Sequence, residues 1–186
     1  WEVLAAEAVY DYPPYLKVEK QTVLLPDGRR VEDYHRLFMP SSCVICTLTD
    51  ANELVLLRGY KHGLGRIGLS IPGGFIELNE DPLTSAKREL IEETGYSAEE
   101  WQFLGEFVSH GNYGGGRVYV FVAKKARKKQ NPNSGDLEST EVEVMKMERV
   151  QESIRNGEIS SLSSVAAIGL ATQHLGLASQ TTPQSF

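Results

Sequence analysis

The chain has 186 residues, 41% hydrophobic and 24% charged, enough for one domain of ordinary size and globular composition. Its formal charge of −6 argues against nucleic acid as a partner, and no apolar run nears the roughly 20 residues that span a bilayer. The expected location is cytoplasmic, although a start at Trp1 in place of methionine leaves a preceding targeting segment open.

Residues 1–40 alternate polar and apolar side chains, and Pro26-Asp27-Gly28 is a turn between two strand-like runs, so the segment predicts a hairpin and a small N-terminal β subdomain. Next, SCVICTLTDANELVLLRGY predicts two strands joined at Asp50-Ala51-Asn52. The Cys43-Val44-Ile45-Cys46 spacing fits a redox or zinc pair, but residues three apart on a strand face opposite ways. Buried structural thiols in a reducing compartment are the expectation. A Gly-rich connection, KHGLGRIGLSIPGGF, is read as turns.

Asp81 as N-cap and Pro82 at the first helical position predict a helix from about Pro82 to Glu93, ended by Gly95. Its apolar side is Leu83, Ala86 and Leu90. Beside that stripe Glu89, Glu92 and Glu93 crowd one face, where like charges cost roughly 0.2–0.5 kcal/mol per pair. The face is either merely solvated or made for a cation.

WQFLGEFVS and VYVFVA predict strands around the Gly-rich turn HGNYGGGR. Residues 124–140 are read as a loop, with Lys124, Lys125, Arg127, Lys128 and Lys129 as a solvated connection; a phosphate-facing patch is the alternative. EVEVMKM predicts a short strand, and a helical pattern then runs from Arg149 to Leu175, broken near Gly157. Residues 179–186 are expected to be a flexible tail. Strands and helices mix without regular alternation, which favours an α+β or αβα sandwich with a mixed sheet.

From Gly74 to Tyr96 the chain carries Gly, five residues, Glu80, seven residues, Arg88-Glu89, two residues, Glu92-Glu93, one residue and Gly95. With ordinary residue frequencies, seven fixed positions match by chance on the order of once in 10^8 windows. This pattern resembles the box of the Nudix hydrolases; Tyr96 is its one loose position. The resemblance implies a Nudix fold over residues 41–178, a mixed sheet between helices, and a Mg²⁺ ion (Mn²⁺ as the alternative) held by Glu89, Glu92 and Glu93. Hard divalent cations take such oxygen ligands together with substrate phosphate oxygens. Arg88 can pair with Glu92 one turn along and aim it. Gly73 and Gly74 let the backbone approach, so a glycine carbonyl can join the metal set.

LVLLRGYKHGLGRIGLSIPGGFIE and the N-terminal PDGRRVEDY resemble the ADP-ribose pyrophosphatase-like branch. That resemblance implies a homodimer with residues 1–40 exchanged between subunits, and substrate contacts from Arg58, Lys61 and either Tyr12 or Tyr15. A surface salt bridge for Arg58 and Lys61, and a core or interface place for Tyr15, are the alternatives. The branch usually has a proline some fifteen residues past the box, where this chain has SHGNYGGGR. Its glycines suggest a flexible or close-approach loop and a different substrate lid, with Asn112 and Arg117 as contacts. The resemblance also implies a water-activating glutamate from the late loop, Glu138 or Glu141, beside the catalytic Glu92 and Arg88.

The expected reaction is metal-dependent hydrolysis of a nucleoside diphosphate linked to a group X, with ADP-ribose or a nucleotide sugar as substrate. The products are a nucleoside monophosphate and phosphorylated X. A nucleoside triphosphate or dinucleoside polyphosphate hydrolase is the alternative, and a non-catalytic nucleotide sensor the third reading.

Overall fold

Strong strand-formers with inward apolar residues build the middle of the chain into one mixed sheet. The computed structural model describes residues 1–135 and 139–176. Three N-terminal strands, β1 (Glu2–Tyr12), β2 (Leu16–Leu24) and β3 (Arg30–Phe38), form an antiparallel meander. The predicted turn at Pro26–Gly28 joins β2 to β3, with Gly28 at φ +84. β1 was not foreseen: all eleven of its residues are exposed, so it has no buried face to mark it.

The central sheet holds β4 (Ser42–Thr49), β5 (Leu54–Lys61), β6 (Arg66–Ser70), β8 (Glu100–His110), β9 (Gly114–Lys128) and β10 (Thr140–Met145). A two-residue strand, β7 (Tyr96–Ser97), pairs with the end of β9. β4 runs parallel to β9 and antiparallel to β5, which also pairs with β6 and β10. The Gly-rich connection read as turns thus contains β6, after a 3₁₀ turn at His62–Leu64. β9 also runs longer than expected. Residues 124–128 belong to it, and Lys124, Lys125 and Arg127 are paired with Glu100, Glu99 and Asp50.

Helix α1 (Pro82–Thr94) covers one face of this sheet, and α2 (Met147–Arg155) and α3 (Leu162–His174) cover the other. Under α1, Ala86 and Leu90 pack on Cys43, Ile45, Phe121 and Ala123. On the far side Val150 of α2 and Ala167, Ile168 and Ala171 of α3 pack on Cys46, Leu54, Leu56 and Val122. Strand alternation therefore sends the two thiols into different layers, and both are free and buried. Burial pushes the Cys46 thiol up to about 12 and raises that of Cys43 as well. The result is an αβα sandwich with an N-terminal β extension. The expected tail at 179–186 lies outside the described residues.

Candidate active site

α1 starts where the sequence places it. The Asp81 carboxylate accepts from the backbone N–H groups of Leu83 and Thr84, each at 3.1 Å, and Gly95 closes the helix at φ +73. Leu90 is fully buried, so truncating it to alanine costs about 2–5 kcal/mol, and the helix is fixed on the sheet before any ligand is considered.

Arg88 organises the acidic face. Its guanidinium donates to both oxygens of Glu80 (2.9 and 3.0 Å), to Glu89 (2.7 Å) and to Glu92 (3.0 Å). It also reaches the Phe75 carbonyl at 3.1 Å and the Ser85 hydroxyl at 3.2 Å. The guanidinium holds the Glu80 carboxyl at about 2, well below the usual carboxylate range. Glu93 is nearly buried and accepts from the Gly73 N–H at 2.7 Å. Gly74 stands so close to the Glu89 carboxyl group that a side chain at this position would collide with it. The Gly74 carbonyl accepts from Cys43 N–H at 2.9 Å, so Gly73 is the freer of the two carbonyls for a metal.

A cavity of about 700 Å³ opens here, lined by Lys61, Gly73, Gly74, Glu77, Arg88, Glu89 and Glu93 among others. Its acidic, oxygen-rich wall suits a hard divalent cation. Among the described residues the carboxylates do not yet converge on a common point, being drawn to Arg88 and Gly73.

The remaining expected site residues lie elsewhere. Arg58 shares the α2/α3 face with Leu54 and Leu56, alternating away from Lys61 and the cavity. It pairs with Glu143 and, at 3.6 Å, with Glu158, so the salt-bridge reading describes it. Glu141 is not in a loop but on β10, opposite Arg58 in register, and so on that same far face. Glu138 lies outside the described residues. Asn112 uses its carbonyl to accept from the Tyr34 hydroxyl, and Arg117 pairs with Glu106; neither lines the cavity. Tyr15 stacks on Tyr12 at 6.1 Å between ring centroids and is exposed.

Sequence reasoning missed a second recess of about 620 Å³, which shares Glu77 with the cavity and is lined by Lys17, Phe38, Met39, Glu80 and Tyr119 among others. These residues come from segments far apart in the chain, and no local pattern announces them.

The NUDIX domain profile matches residues 39–163, most of the chain. Over 116 residues the chain is 31% identical to a methanol dehydrogenase activator of Bacillus methanolicus, the match covering 62% of each protein. It is 28% identical to an ADP-ribose pyrophosphatase of Bacillus subtilis, over 68% of each. It is also 28% identical to the CMP-5'-(N-acetyl-N-hydroxy-3-aminopropyl)phosphonate hydrolase of Streptomyces rubellomurinus, over 84% of this chain and 74% of that one. A solved structure described as an ADP compounds hydrolase superposes with a TM-score of 0.81 at 21% identity, covering 97% of this chain and 96% of the other, and so shares the fold. The chain belongs to the Nudix family. Within it, the chain is a pyrophosphohydrolase of the ADP-ribose pyrophosphatase-like kind.

Proposed function

We propose that this enzyme hydrolyses the diphosphate of a nucleoside diphosphate linked to a second group X, with ADP-ribose or a nucleotide sugar as substrate and Mg²⁺ (or Mn²⁺) as cofactor. The observation that carries the reading is the carboxylate face of α1, ordered by Arg88 at the edge of a cavity that also holds Lys61. Glu89, Glu92, Glu93 and the Gly73 carbonyl would hold the metal. When bound, the ion neutralises phosphate charge and lowers the pKa of a water. Arg88 fixes the rotamers of Glu89 and Glu92, the Gly73 N–H fixes Glu93, and Lys61 supplies a cation for the diphosphate.

Names of relatives support the substrate class: two ADP-ribose pyrophosphatases, an ADP-sugar pyrophosphatase from Mus musculus and the CMP-linked phosphonate hydrolase. The exposed β1, with Val3, Leu4, Val9, Tyr10 and Tyr12 outward, favours a homodimer in which the N-terminal strands meet a second subunit. Two free buried thiols suit a reducing compartment such as the cytoplasm.

A Mg²⁺-supplemented screen of ADP-ribose, nucleotide sugars, dinucleotides and triphosphates, with products identified by mass, tests the reading. The expected products are a nucleoside monophosphate and phosphorylated X. Turnover confined to triphosphates would favour the alternative hydrolase, and tight binding without turnover a sensor.

A further inference from the structure

The turn that departs from the family pattern does structural work at an unexpected place. Three consecutive glycines, Gly114, Gly115 and Gly116, open β9, the first two at φ +89. Among the described residues, the N-terminal meander joins the rest of the sheet through the pairing of Leu37 with Gly114. Leu37 N–H donates to the Tyr113 carbonyl at 2.8 Å, and the Tyr34 hydroxyl donates to the Asn112 carbonyl. A Cβ on Gly114 would sit 3.1 Å from the Leu37 carbonyl oxygen. One on Gly116 would collide with the Pro40 carbonyl and lie 3.1 Å from that of Met39. These neighbours are backbone and cannot rotate away. Gly111, in the same turn, has open space around it and no left-handed backbone.

The glycines thus press on residues 37–40, and three of those residues, Phe38, Met39 and Pro40, wall the 620 Å³ recess beside the catalytic cavity. The recess is also lined by the loop that precedes α1, through Ile76, Leu78 and Glu80. We propose that Gly114–Gly116 is a positioning element for substrate selection. By clamping residues 37–40 on β9 it holds one wall of a recess that receives the X half of the substrate, a ring-bearing group of nucleoside or sugar size. The recess is largely apolar, with Phe38, Met39 and Tyr119 offering surfaces for such a ring and Lys17 a single cation. This inference rests on the function proposed above for the location of the diphosphate. The clamp itself does not.

The test compares Gly116→Ala with Gly111→Ala in the full chain. Amide exchange at Leu37 reads the clamp without substrate, and steady-state kinetics on the preferred nucleoside diphosphate derivative reads selection. Gly116→Ala is expected to lose protection at Leu37 and to raise KM about tenfold or more with kcat within about twofold, the signature of lost binding that is uniform along the reaction. Gly111→Ala should match the wild type in both. Preserved protection and an unchanged KM in Gly116→Ala would overturn the proposal, as would equal damage from Gly111→Ala, which would mark the turn as a moving lid. A parallel fall in kcat and thermal stability with KM unchanged would reduce the glycines to a structural role and also overturn it. Should Gly116→Ala not fold, Met39→Ala reads the recess wall directly, since Met39 is 42% exposed and carries little core packing; an unchanged KM there rejects the recess. If the wild type hydrolyses no diphosphate at all, the proposed function fails while the exchange comparison still decides the clamp.

Discussion

Two arginines gather glutamates in this chain, one on each side of the sheet. Arg88 holds Glu80, Glu89 and Glu92 with Glu93 nearby, one guanidinium against four carboxylates, and a cavity opens beside them. Arg58 holds Glu143 and Glu158, and Glu158 is shared with Arg149, which also pairs with Glu152, so there two guanidiniums meet three carboxylates. The ratio of charges separates a site from a brace. An acidic excess of four to one around a cavity is tolerated where a cation is to come, whereas the nearly balanced cluster ties β5 and β10 to the segment after α2.

The largest expected effect is on the acidic side. Glu93→Gln should lower kcat by about 100-fold or more, since even outer partners of a metal site cost 10–100-fold, with far-UV circular dichroism unchanged. Full activity in that variant would remove α1 as the metal face. Next comes the contrast within β5. Lys61→Ala should raise KM about tenfold, in line with roughly 1.5–3 kcal/mol for a hydrogen bond to a charged group. Arg58→Ala should leave KM and kcat alone and cost about 1 kcal/mol of stability, which lowers Tm by roughly 2–4 °C in a chain this long. A KM effect from Arg58→Ala as large as that from Lys61→Ala would erase the distinction between the two faces.

The smallest effect is an acid limb. The Glu80 carboxyl is held at about 2 against an ordinary value of 4.5, so it binds fewer protons folded than unfolded through that window. Its contribution is complete above pH 4.5 and is lost as pH falls towards about 2. Glu80→Gln should flatten that part of a Tm-against-pH profile; an unchanged slope would mean that Arg88 gains nothing from Glu80.

Much of α1 was legible beforehand, because an N-cap, a helical period and a fixed glutamate spacing are local signals. The two faces of β5 were legible too, in principle. The alternation that separates Cys43 from Cys46 also separates Arg58 from Lys61, and treating Arg58-Gly59-Tyr60-Lys61 as one element hid it. The same register carries Glu141 to the far face with Arg58. Other features left no local trace. β1 buries nothing, and the meaning of Gly114–Gly116 depends on Pro40, some 75 positions earlier in the sequence.

The opposed cysteines give this protein a reporter in each layer. Cys43 is shut in by α1 and Cys46 by α2 and α3, and neither thiol meets solvent in the folded state. A thiol reagent added under native conditions can react only through openings of the chain, and each sulfur samples a different one. If α1 detaches as a local event, Cys43 is labelled ahead of Cys46, and a ligand that bridges α1 to the Gly73 turn slows the first reaction while leaving the second at its own pace.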